Sequence, residues 1–443
     1  MRTYFYTLQR KYLSLFILAQ NSVVEIDPTT PLSIAAMPQG RVAFRNVNGR
    51  VQPNSEFDRG LILSVKDVLK MQPDYLVANG LIHFEKDIQK LLATLRGMCR
   101  DETRLVLTSY SSLWRPLVRI ASAVGLRTKA PELNWLAPED IENLLSLENF
   151  ELVRLDRKVL IPLYIPLVSN FINRYVASLP VFKKLCLLNI IIAKPVRAKE
   201  EAATPSVSIV VPARNESGNI DAILERIPVM GPDDEIIFVE GNSTDDTWRV
   251  IQAAQHRYRE SRRILISQQE GRGKGDAVRK GFGLATKEIL MILDADMTVE
   301  PEDLPKFYGA IKDGKGELIN GARLVYPMER KAMRFFNLLG NKFFAMAFSY
   351  VLGQRCKDTL CGTKVISRAN YQKLAANRSY FGEFDPFGDF DLLFGAARMG
   401  LKIVGVPICY RQRVYGKTNV SRWRHGAILL AMLIFAARKI KFL

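Results

Sequence analysis

The sequence predicts an α/β protein made of two doubly wound domains, each with a central sheet of mostly parallel strands. Short apolar runs of strand length alternate with longer stretches whose apolar residues recur at helical spacing. One polar, proline-containing stretch, KPVRAKEEAATPS, interrupts the alternation, which restarts at Val207. We therefore expect a first domain over residues 1–195, a linker over 196–205, a second domain over 206–421 and a tail of different character over 422–443.

The composition indicates a folded protein with an anionic partner. The 443 residues are enough for two or three domains, and 48% hydrophobic with 24% charged residues argues against disorder. A net charge of +18 favours nucleic acid, a phospholipid surface or a phosphorylated substrate as the partner. The basic residues lie in loops and in the tail, without a helix-turn-helix, RNP or zinc pattern, so no nucleic-acid partner is expected.

Cysteine and histidine usage predicts a cytosolic protein. The five cysteines include no C-x-x-C pair and there are three histidines, so we expect no zinc site. The short apolar run YLSLFILA near the N-terminus has no small-residue cleavage signal after it, so no secretory signal is predicted.

The first domain is predicted from the strands SVVEI, PDYLVANGL and TRLVLTSY and from helical stretches such as EKDIQKLLATLRGMCR. After the first strand the chain makes the turn Asp27-Pro28-Thr29-Thr30-Pro31, which contains no glycine. A cofactor loop at a strand end usually needs glycine, because the missing side chain lets the ligand approach the backbone. The two prolines also remove amide donors.

The second domain is predicted from four apolar strands that each run into a polar tip: VSIVVPARNE, DEIIFVEGNSTDDT, RRILISQQEGRGKGD and EILMILDADMTVEP. Ligands of an open parallel sheet bind at the carboxyl ends of its strands. Asp294 and Asp296 directly follow the last of these strands, so both carboxylates point the same way and can share Mg²⁺ or Mn²⁺, which also takes diphosphate oxygens. The alternative for this pair is two exposed aspartates in a turn.

The other tips carry side chains suited to a nucleotide diphosphate. Hydrogen-bonding groups for a base or ribose follow the first two strands, and cations lie on the glycine-rich turn after the third. These residues are Arg214, Asn215, Glu216, Glu240, Arg272 and Lys274.

The tail places an apolar run, residues 427–437, between two basic flanks. A bilayer span needs about 20 apolar residues, so this run is too short to cross a membrane. An amphipathic helix in the plane of an anionic leaflet and a terminal helix docked on the protein core are equally compatible with the pattern. The flanking basic residues are Arg422, Arg424, His425, Arg438, Lys439 and Lys441.

The ordered motifs of the second domain resemble family 2 glycosyltransferases of the GT-A fold, and most of all the dolichol- and polyprenyl-phosphate sugar transferases. The resemblance rests on VVPARNE, VEGNSTDDT, GRGKGDAVRKG, LDADMTVEPEDL, GAR, DTLCGTKVISR and FDLLFGAARMGLKIVGVPICYRQRVYGKTNVS. It implies that the nucleotide sugar contacts Pro212, Ala213, Arg214, Asn215, Glu216, Glu240, Asn242, Ser243, Arg272, Lys274 and Asp294. It implies a metal on Asp294 and Asp296, and an acceptor or its phosphate beside Arg323, Lys364, Arg411, Arg413 and Lys417.

Two positions depart from the family pattern. The second motif has Glu240, Gly241, Asn242 and Ser243 where the family usually carries two aspartates before glycine and serine. Asp391 stands where the family often has glutamate.

The resemblance implies an inverting transfer of sugar from a UDP- or GDP-sugar. Asp391 or Asp389 is the predicted general base for a hydroxyl acceptor, which must lose its proton during attack, whereas a phosphate acceptor is already an anion. The alternative role for both aspartates is to cap the following helix. Lys364 and Asp358 either face the acceptor or shape a turn.

The first domain resembles a class I methyltransferase that uses S-adenosylmethionine, with a Rossmann-like fold. SVVEI corresponds to its first strand, and the segments from PDYLVANGL to TRLVLTSY and from NWLAPEDIENLL to KVLIP correspond to its later elements. Because the glycine-free turn replaces the cofactor loop of that family, we expect a non-catalytic domain that binds no S-adenosylmethionine.

The predicted protein is a metal-dependent glycosyltransferase of the cell envelope, peripheral at the cytoplasmic inner face of the plasma membrane. Polyprenyl phosphate is the favoured lipid-linked acceptor. One alternative is transfer to a hydroxyl of a surface polysaccharide or glycolipid, and another is a catalytically inactive scaffold.

Overall fold

The computed structural model describes residues 2–18, 20–26, 42–45, 61–63, 68, 70–125, 132–197, 204–323, 325, 335–380, 390–411, 413, 415 and 422–442. The chain divides into two compact units. One consists of Met1–Ala198 together with Arg438–Leu443, and the other of Lys199–Ala437. The predicted tail over 422–443 is therefore split, because its last six residues belong to the first unit.

The first unit is built on a seven-stranded sheet. Its strands are β1 Val23–Ile26, β2 Val42–Arg45, β3 Leu61–Leu63, β4 Tyr75–Asn79, β5 Arg104–Tyr110, β6 Phe150–Lys158 and β7 Leu188–Pro195. They lie in the order β3-β2-β1-β4-β5-β7-β6, and β7 runs antiparallel to both of its neighbours. The five neighbouring strands β3, β2, β1, β4 and β5 pair in parallel. Strand β1 is buried along its whole length, as expected for a strand that is covered on both faces.

The helices of the first unit follow local signals. Asp87 caps the second of them, where its side chain accepts from the backbone N–H of Lys90 at 2.9 Å, and Pro138 occupies the first turn of the fourth. The helices are α1 Arg2–Leu13, α2 Ile88–Arg96, α3 Arg115–Ala123, α4 Pro138–Leu147, α5 Val168–Phe171 and α6 Pro180–Lys183, with a π turn over Ile172–Val176.

The end of the chain is anchored in the first unit by a buried charge cluster. The Nζ of Lys441 lies 3.1 Å from Asp156, whose other oxygen accepts from Arg154 at 2.6 Å, and Lys158 donates to the Lys441 carbonyl at 2.8 Å. Burial alone would raise the pKa of Asp156, but the cations hold it well below its usual range. Lys441 is thus not part of a basic flank that faces a leaflet, because its side chain is buried and paired with Asp156.

The second unit is also built on a seven-stranded sheet. Its strands are β8 Val207–Ala213, β9 Glu235–Glu240, β10 Arg263–Gln268, β11 Ile289–Ile292, β12 Leu318–Ala322, β13 Lys364–Ser367 and β14 Ile403–Pro407. The order is β10-β9-β8-β11-β13-β12-β14, with β13 antiparallel to β11 and β12. The four strands predicted from the sequence are β8 to β11, which are neighbours in parallel, so their polar tips meet at one edge.

Helices pack on this sheet. The helix Lys274–Leu284 approaches β8 so closely that a Cβ on Gly281 would clash with the side chain of Val210. Phe348 is buried and packs against Phe390 with ring centroids 4.8 Å apart, so this face of its helix belongs to the core, whereas Phe343 and Met346 are exposed. The helices are α7 Ile220–Arg226, α8 Thr247–Tyr258, α9 Lys274–Leu284, α10 Leu304–Lys312, α11 Phe335–Leu352, α12 Arg368–Ala376, α13 Phe390–Arg398 and α14 Arg422–Ala436.

Within the described ranges, no helix combines the length and the apolar character that a bilayer crossing demands.

The Asp156 cluster generates a stability prediction. Asp156→Asn leaves buried cations without their carboxylate, so we expect it to destabilise the first unit by about 3–5 kcal/mol. Urea denaturation together with hydrogen exchange at β6 and β7 measures the change. The matched control is Asp101→Asn, which removes an exposed 3.3 Å pair with Arg197 and should cost less than about 1 kcal/mol. Equal effects of the two substitutions would contradict the buried cluster.

Candidate active site

The loops after β8 and β9 are locked to each other by Asn215. Its side-chain oxygen accepts from the backbone N–H of Thr244 at 2.8 Å, and its own N–H donates to the Ser243 hydroxyl at 3.0 Å. Asn215 has a φ of 56°, a left-handed conformation that asparagine tolerates better than most residues. The predicted nucleotide residues Asn215 and Ser243 therefore lie together and shape the site.

Glu240 organises the loop that follows its own strand. It is buried, and its carboxylate accepts from the Ser243 N–H and, at 3.0 Å, from the Gln268 side chain. Burial alone would raise the pKa of Glu240, but these hydrogen bonds lower it overall, so the carboxylate is ionised. Glu240 joins the tips of β9 and β10, which makes it a positioning residue.

Arg413 joins three loops at the centre of the site. One guanidinium nitrogen donates to Glu216 at 2.8 Å and another to Asp296 at 2.7 Å. Glu216 follows β8 and Asp296 follows β11, while Arg413 lies beyond β14 in the chain. The second oxygen of Glu216 accepts from Asn219 at 2.8 Å. The structure thus brings together three of the residues that the sequence proposed for separate roles.

The environment of Glu216 makes its protonation responsive near neutral pH. Burial raises the pKa of Glu216 to about 7, with Asp296 adding to the shift and Arg413 opposing it. Burial therefore favours the protonated carboxyl group of Glu216, whereas the guanidinium of Arg413 favours the ionised one.

Asp294, the first carboxylate of the motif Asp294-Ala295-Asp296 (the DAD motif), has its own cation. Lys274, the first residue of α9, places its Nζ 2.6 Å from Asp294. Gly362 lies directly against this pair, since a Cβ there would fall 1.9 Å from an Asp294 oxygen and 2.2 Å from the lysine nitrogen. Only glycine leaves room for both groups at this point.

The electrostatics of the DAD motif favour a cation. Asp294 and Asp296 are each paired with a positively charged side chain. The Thr298 hydroxyl donates at 2.7 Å to the Asp296 oxygen that does not contact Arg413. Carboxylate oxygens are the ligands that Mg²⁺ and Mn²⁺ prefer, so the donor set fits such an ion. Over the part of the chain that the structure describes, no cluster of three or more His, Cys, Asp or Glu side chains is arranged to hold a metal. Any metal here would need further ligands from substrate or water.

Two of the predicted acceptor residues are used internally. Arg323 is buried and forms a two-pronged pair with Asp358 at 2.6 and 2.9 Å, above the Tyr410 ring. Burial alone would lower the pKa of Arg323, but the Asp358 carboxylate raises it overall, and the pair is ionised. Lys364 is fully buried on β13 and donates to the Cys361 carbonyl. Both side chains therefore point into the protein in this structure, and their role beside an acceptor stays a prediction.

The remaining predicted cations and polar residues are at the rim. Arg411 pairs with Glu300 at 3.4 Å and remains half-exposed. Arg214, Asn242 and Arg272 are exposed. Pro212 and Ala213 end β8 beside them. Lys417 and Asp389, together with the turn Asp27-Pro28-Thr29-Thr30-Pro31, fall outside the described residues.

Asp391 is buried in the first turn of α13 and faces two arginines. Arg378 lies 3.1 Å and Arg279 3.6 Å from the same carboxylate oxygen. Burial raises the pKa of Asp391 although both arginines act in the opposite direction. A raised pKa suits a group that takes up a proton, and the two arginines also fix its position.

Sequence reasoning missed residues that support the site from behind. Asn219 donates to both Glu216 and the Ala295 carbonyl, at 2.8 and 3.0 Å, and so ties the β8 loop to the β11 loop. The Thr247 hydroxyl accepts from the Glu216 N–H at 2.9 Å. Tyr415 lies against Gly218 and hydrogen-bonds Ser217 at 3.1 Å. Asn219 stands just before a helix, which is the one local signal that marks it.

Comparisons with known proteins bear on the second unit. Residues 208–374 match the family described as Glycosyl transferase family 2. "Glycosyltransferase AglJ" of Haloferax volcanii is 28% identical over 236 residues, which cover 53% of this chain and 72% of the relative. "Dolichol-phosphate mannosyltransferase" of Pyrococcus furiosus is 27% identical over 48% of this chain, and the match spans 59% of that protein. The first unit lies outside the family match, which begins at residue 208 and ends at residue 374.

A solved structure gives a weaker likeness. It is glucosyl-3-phosphoglycerate synthase from Mycobacterium tuberculosis in complex with phosphoglyceric acid, with 22% identity and a TM-score of 0.40. The match covers 54% of this chain and 81% of that one.

The pKa of Glu216 generates a pH prediction. Its folded-state pKa lies above the unfolded value, so the stabilising contribution of its protonation is present below about pH 4.5 and is lost as the pH rises through about 7. The unfolding free energy of the native protein should therefore fall relative to Glu216→Gln by roughly 3 kcal/mol between pH 4.5 and 8. Urea denaturation at a series of pH values, with chelator present, measures this difference.

Glu302→Gln is the control for that series. Hydrogen bonding to Arg226 lowers the pKa of Glu302, so its difference from the native protein should stay flat above about pH 5. A flat difference for Glu216→Gln as well would mean that Glu216 remains ionised throughout.

Proposed function

We propose that this glycosyltransferase, whose residues 208–374 match family 2, moves a sugar from a UDP- or GDP-sugar to a lipid-linked acceptor with inversion at the anomeric carbon. The observation that carries the proposal is the edge where Asp294, Asp296 and Glu216 converge with Lys274 and Arg413. Alternating carboxylates and cations suit a nucleotide diphosphate, whose charge needs cations and whose ribose needs acceptors. The GT-A fold remains part of this proposal.

The donor would lie across the tips of β8, β9 and β11. The loops after β8 and β9 are fixed by Asn215 and Glu240, which leaves backbone and side-chain groups preset for a base and ribose. The exposed Arg272 and the left-handed Gly273 at the start of α9 provide a cation and an open backbone for the diphosphate. A preset site of this kind spends little free energy on ordering when the donor binds.

Asp294 and Asp296 would hold the divalent ion. Without it, Asp294 pairs with Lys274 and Asp296 pairs with Arg413. A bound Mg²⁺ or Mn²⁺ would neutralise charge that builds on the leaving diphosphate. Arg413 is long enough to turn from Asp296 to a phosphate oxygen when that carboxylate finds another partner. Arg413 would then neutralise negative charge both in the empty site and in the site with metal and donor bound.

In the transfer itself an acceptor oxygen bonds to the anomeric carbon as the bond from that carbon to the diphosphate breaks. The electron pair of the broken bond leaves with the nucleoside diphosphate. Polyprenyl phosphate needs no base, because its oxygen is already an anion, and Arg411 and Arg413 can orient it. The names of relatives that act on dolichol phosphate support this acceptor.

A hydroxyl acceptor is the second candidate, favoured by Asp391. Its burial and raised pKa match what a general base for a hydroxyl proton requires. The acceptor would then be a surface polysaccharide or a glycolipid of the cell envelope.

A transfer assay tests the reaction. Radiolabelled UDP- and GDP-sugars are offered with polyprenyl phosphate, with Mg²⁺ or Mn²⁺ and with chelator. We expect label in the lipid phase that needs the metal and falls at least roughly 100-fold in Asp296→Ala, since the substitution removes a ligand and the partner of Arg413. Asp313→Ala, which loses an exposed aspartate outside the site, should match the native protein.

The outcomes of that assay separate the acceptors. Label in lipid with only a modest loss in Asp391→Asn supports the phosphate. Donor hydrolysis without lipid label, or label in a hydroxyl-bearing acceptor that disappears in Asp391→Asn, moves the acceptor to a hydroxyl. Failure to bind or turn over any donor would contradict the proposed function altogether.

We also propose that the first unit is a methyltransferase-like scaffold without a methyltransferase activity, at the inner face of the plasma membrane. The strand order, with an antiparallel β7 inserted beside β5, supports the resemblance. The glycine-free sequence DPTTP supports the loss of cofactor binding. Calorimetric titration with S-adenosylmethionine should give no heat of binding. Micromolar affinity would contradict this assignment.

A further inference from the structure

Two stretches of the first unit expose large apolar side chains. Helix α3, with the residues just beside it, exposes four, and none of its residues is buried. The stretch 163–185 exposes eleven, and Leu167 is 86% accessible. We call residues 113–124 and 163–185 the basic-apolar surface.

The two stretches adjoin. The indole N–H of Trp114, just before α3, donates to the carbonyl of Leu185 at 2.7 Å. The backbone N–H of Ser111 donates to the carbonyl of Leu187 at 2.7 Å. The two stretches thus meet at Trp114 and Leu185, and together they expose fifteen large apolar side chains, more than the singly scattered apolar residues of an ordinary surface.

Polar backbone groups under this patch are satisfied from inside. Asn173 is buried, and its side-chain oxygen accepts from the N–H groups of Leu160 and Ile161 at 2.8 and 2.9 Å. The Ser169 hydroxyl accepts from Ile165 at 2.9 Å and donates to Leu163 at 2.6 Å. A loop that stays in water has no need of such partners, whereas a loop in hydrocarbon loses free energy for each unpaired group.

Leu167 is held at the tip of the second stretch. Its φ of 62° and ψ of −46° are rare for a branched side chain, and the Val168 N–H donates to the Pro166 carbonyl at 2.7 Å across it. This tight γ-turn fixes the side chain outward. Backbone strain that presents an apolar group to solvent suits a group that is buried on binding.

The charge of these stretches has one sign. The sequence contains no Asp or Glu between Glu102 and Glu132, and none between Asp156 and Glu200. Basic side chains instead flank the exposed apolar ones, and aromatic side chains that suit a membrane interface lie among them. The basic residues are Arg115, Arg119, Arg174, Lys183 and Lys184, and the aromatic ones Trp114, Tyr164, Phe171, Tyr175 and Phe182.

A cavity of about 250 Å³ opens beside the second stretch. Lys11 and Arg174 lie on its wall, so it offers two cations to an anionic group such as a lipid phosphate. Its lining is Leu8, Lys11, Tyr12, Asn170, Asn173 and Arg174.

We propose that the basic-apolar surface docks the first unit on an anionic phospholipid bilayer. The apolar tips enter the interface, and the cations meet the lipid phosphates. The acid-free sequence and the satisfied backbone favour a bilayer over a second copy of the chain, whose matching surface would carry the same positive charge. The inference is independent of the sugar, the acceptor and the proposed reaction.

Co-sedimentation with vesicles tests the surface. The full chain is mixed with vesicles of phosphatidylcholine alone or with added phosphatidylglycerol. We expect binding to the anionic vesicles, reduced roughly tenfold or more in the variant Leu167→Ser/Phe171→Ser/Val181→Ser. Lys183→Gln/Lys184→Gln should weaken binding to the anionic vesicles and make it less sensitive to salt.

Two controls locate the effect. Val229→Ser/Met346→Ser removes equally exposed apolar side chains from the second unit and should bind as the native protein does. Leu430→Ser/Ile434→Ser changes the exposed face of α14. Loss of binding with the α14 variant but not with the triple variant would overturn the proposal and assign docking to the tail.

Two further outcomes also overturn it. The triple variant could bind as tightly as the native protein. Alternatively, the native chain could bind no vesicle and elute as a dimer that the triple variant converts to a monomer. Circular dichroism of each variant confirms that it has folded.

Discussion

The two-sided grip of Arg413 on Glu216 and Asp296 holds the candidate site together. Three loops that are far apart in sequence meet at one guanidinium, which is planar and presents several donors in a fixed geometry. Lysine has a single point charge and could not hold both carboxylates in the same way. The burial that raises the pKa of Glu216 is tolerable because Arg413 and Asn219 both reach it.

Charge pairing extends this principle across the second unit. Asp294 has Lys274, Asp358 has Arg323, and Asp391 has Arg378 and Arg279. These pairs serve different ends. The Arg323 pair is sealed inside the protein and stiffens the end of β12, whereas the pairs at Asp294 and Asp296 are partly open and can be exchanged for ligand charges.

The first unit uses its charges in another way. Its buried cations gather around Asp156 and fasten the last residues of the chain, while its surface cations surround exposed apolar side chains. A chain with a net charge of +18 can therefore keep one group of cations for structure and another for an anionic surface.

The sequence by itself determined the fold class, the restart at Val207, the four parallel strands β8 to β11 and the placement of Asp294 and Asp296 at a strand end. All of these features follow from the spacing of apolar and polar residues within short segments, which can be read without knowing the tertiary structure. Only the tertiary structure decided that Arg323 turns to Asp358, that Lys364 is buried, that Lys441 enters the first unit and that Arg413 joins Glu216 to Asp296. Each depends on which distant segment lies opposite, and strand order and packing fix that choice without leaving a local pattern.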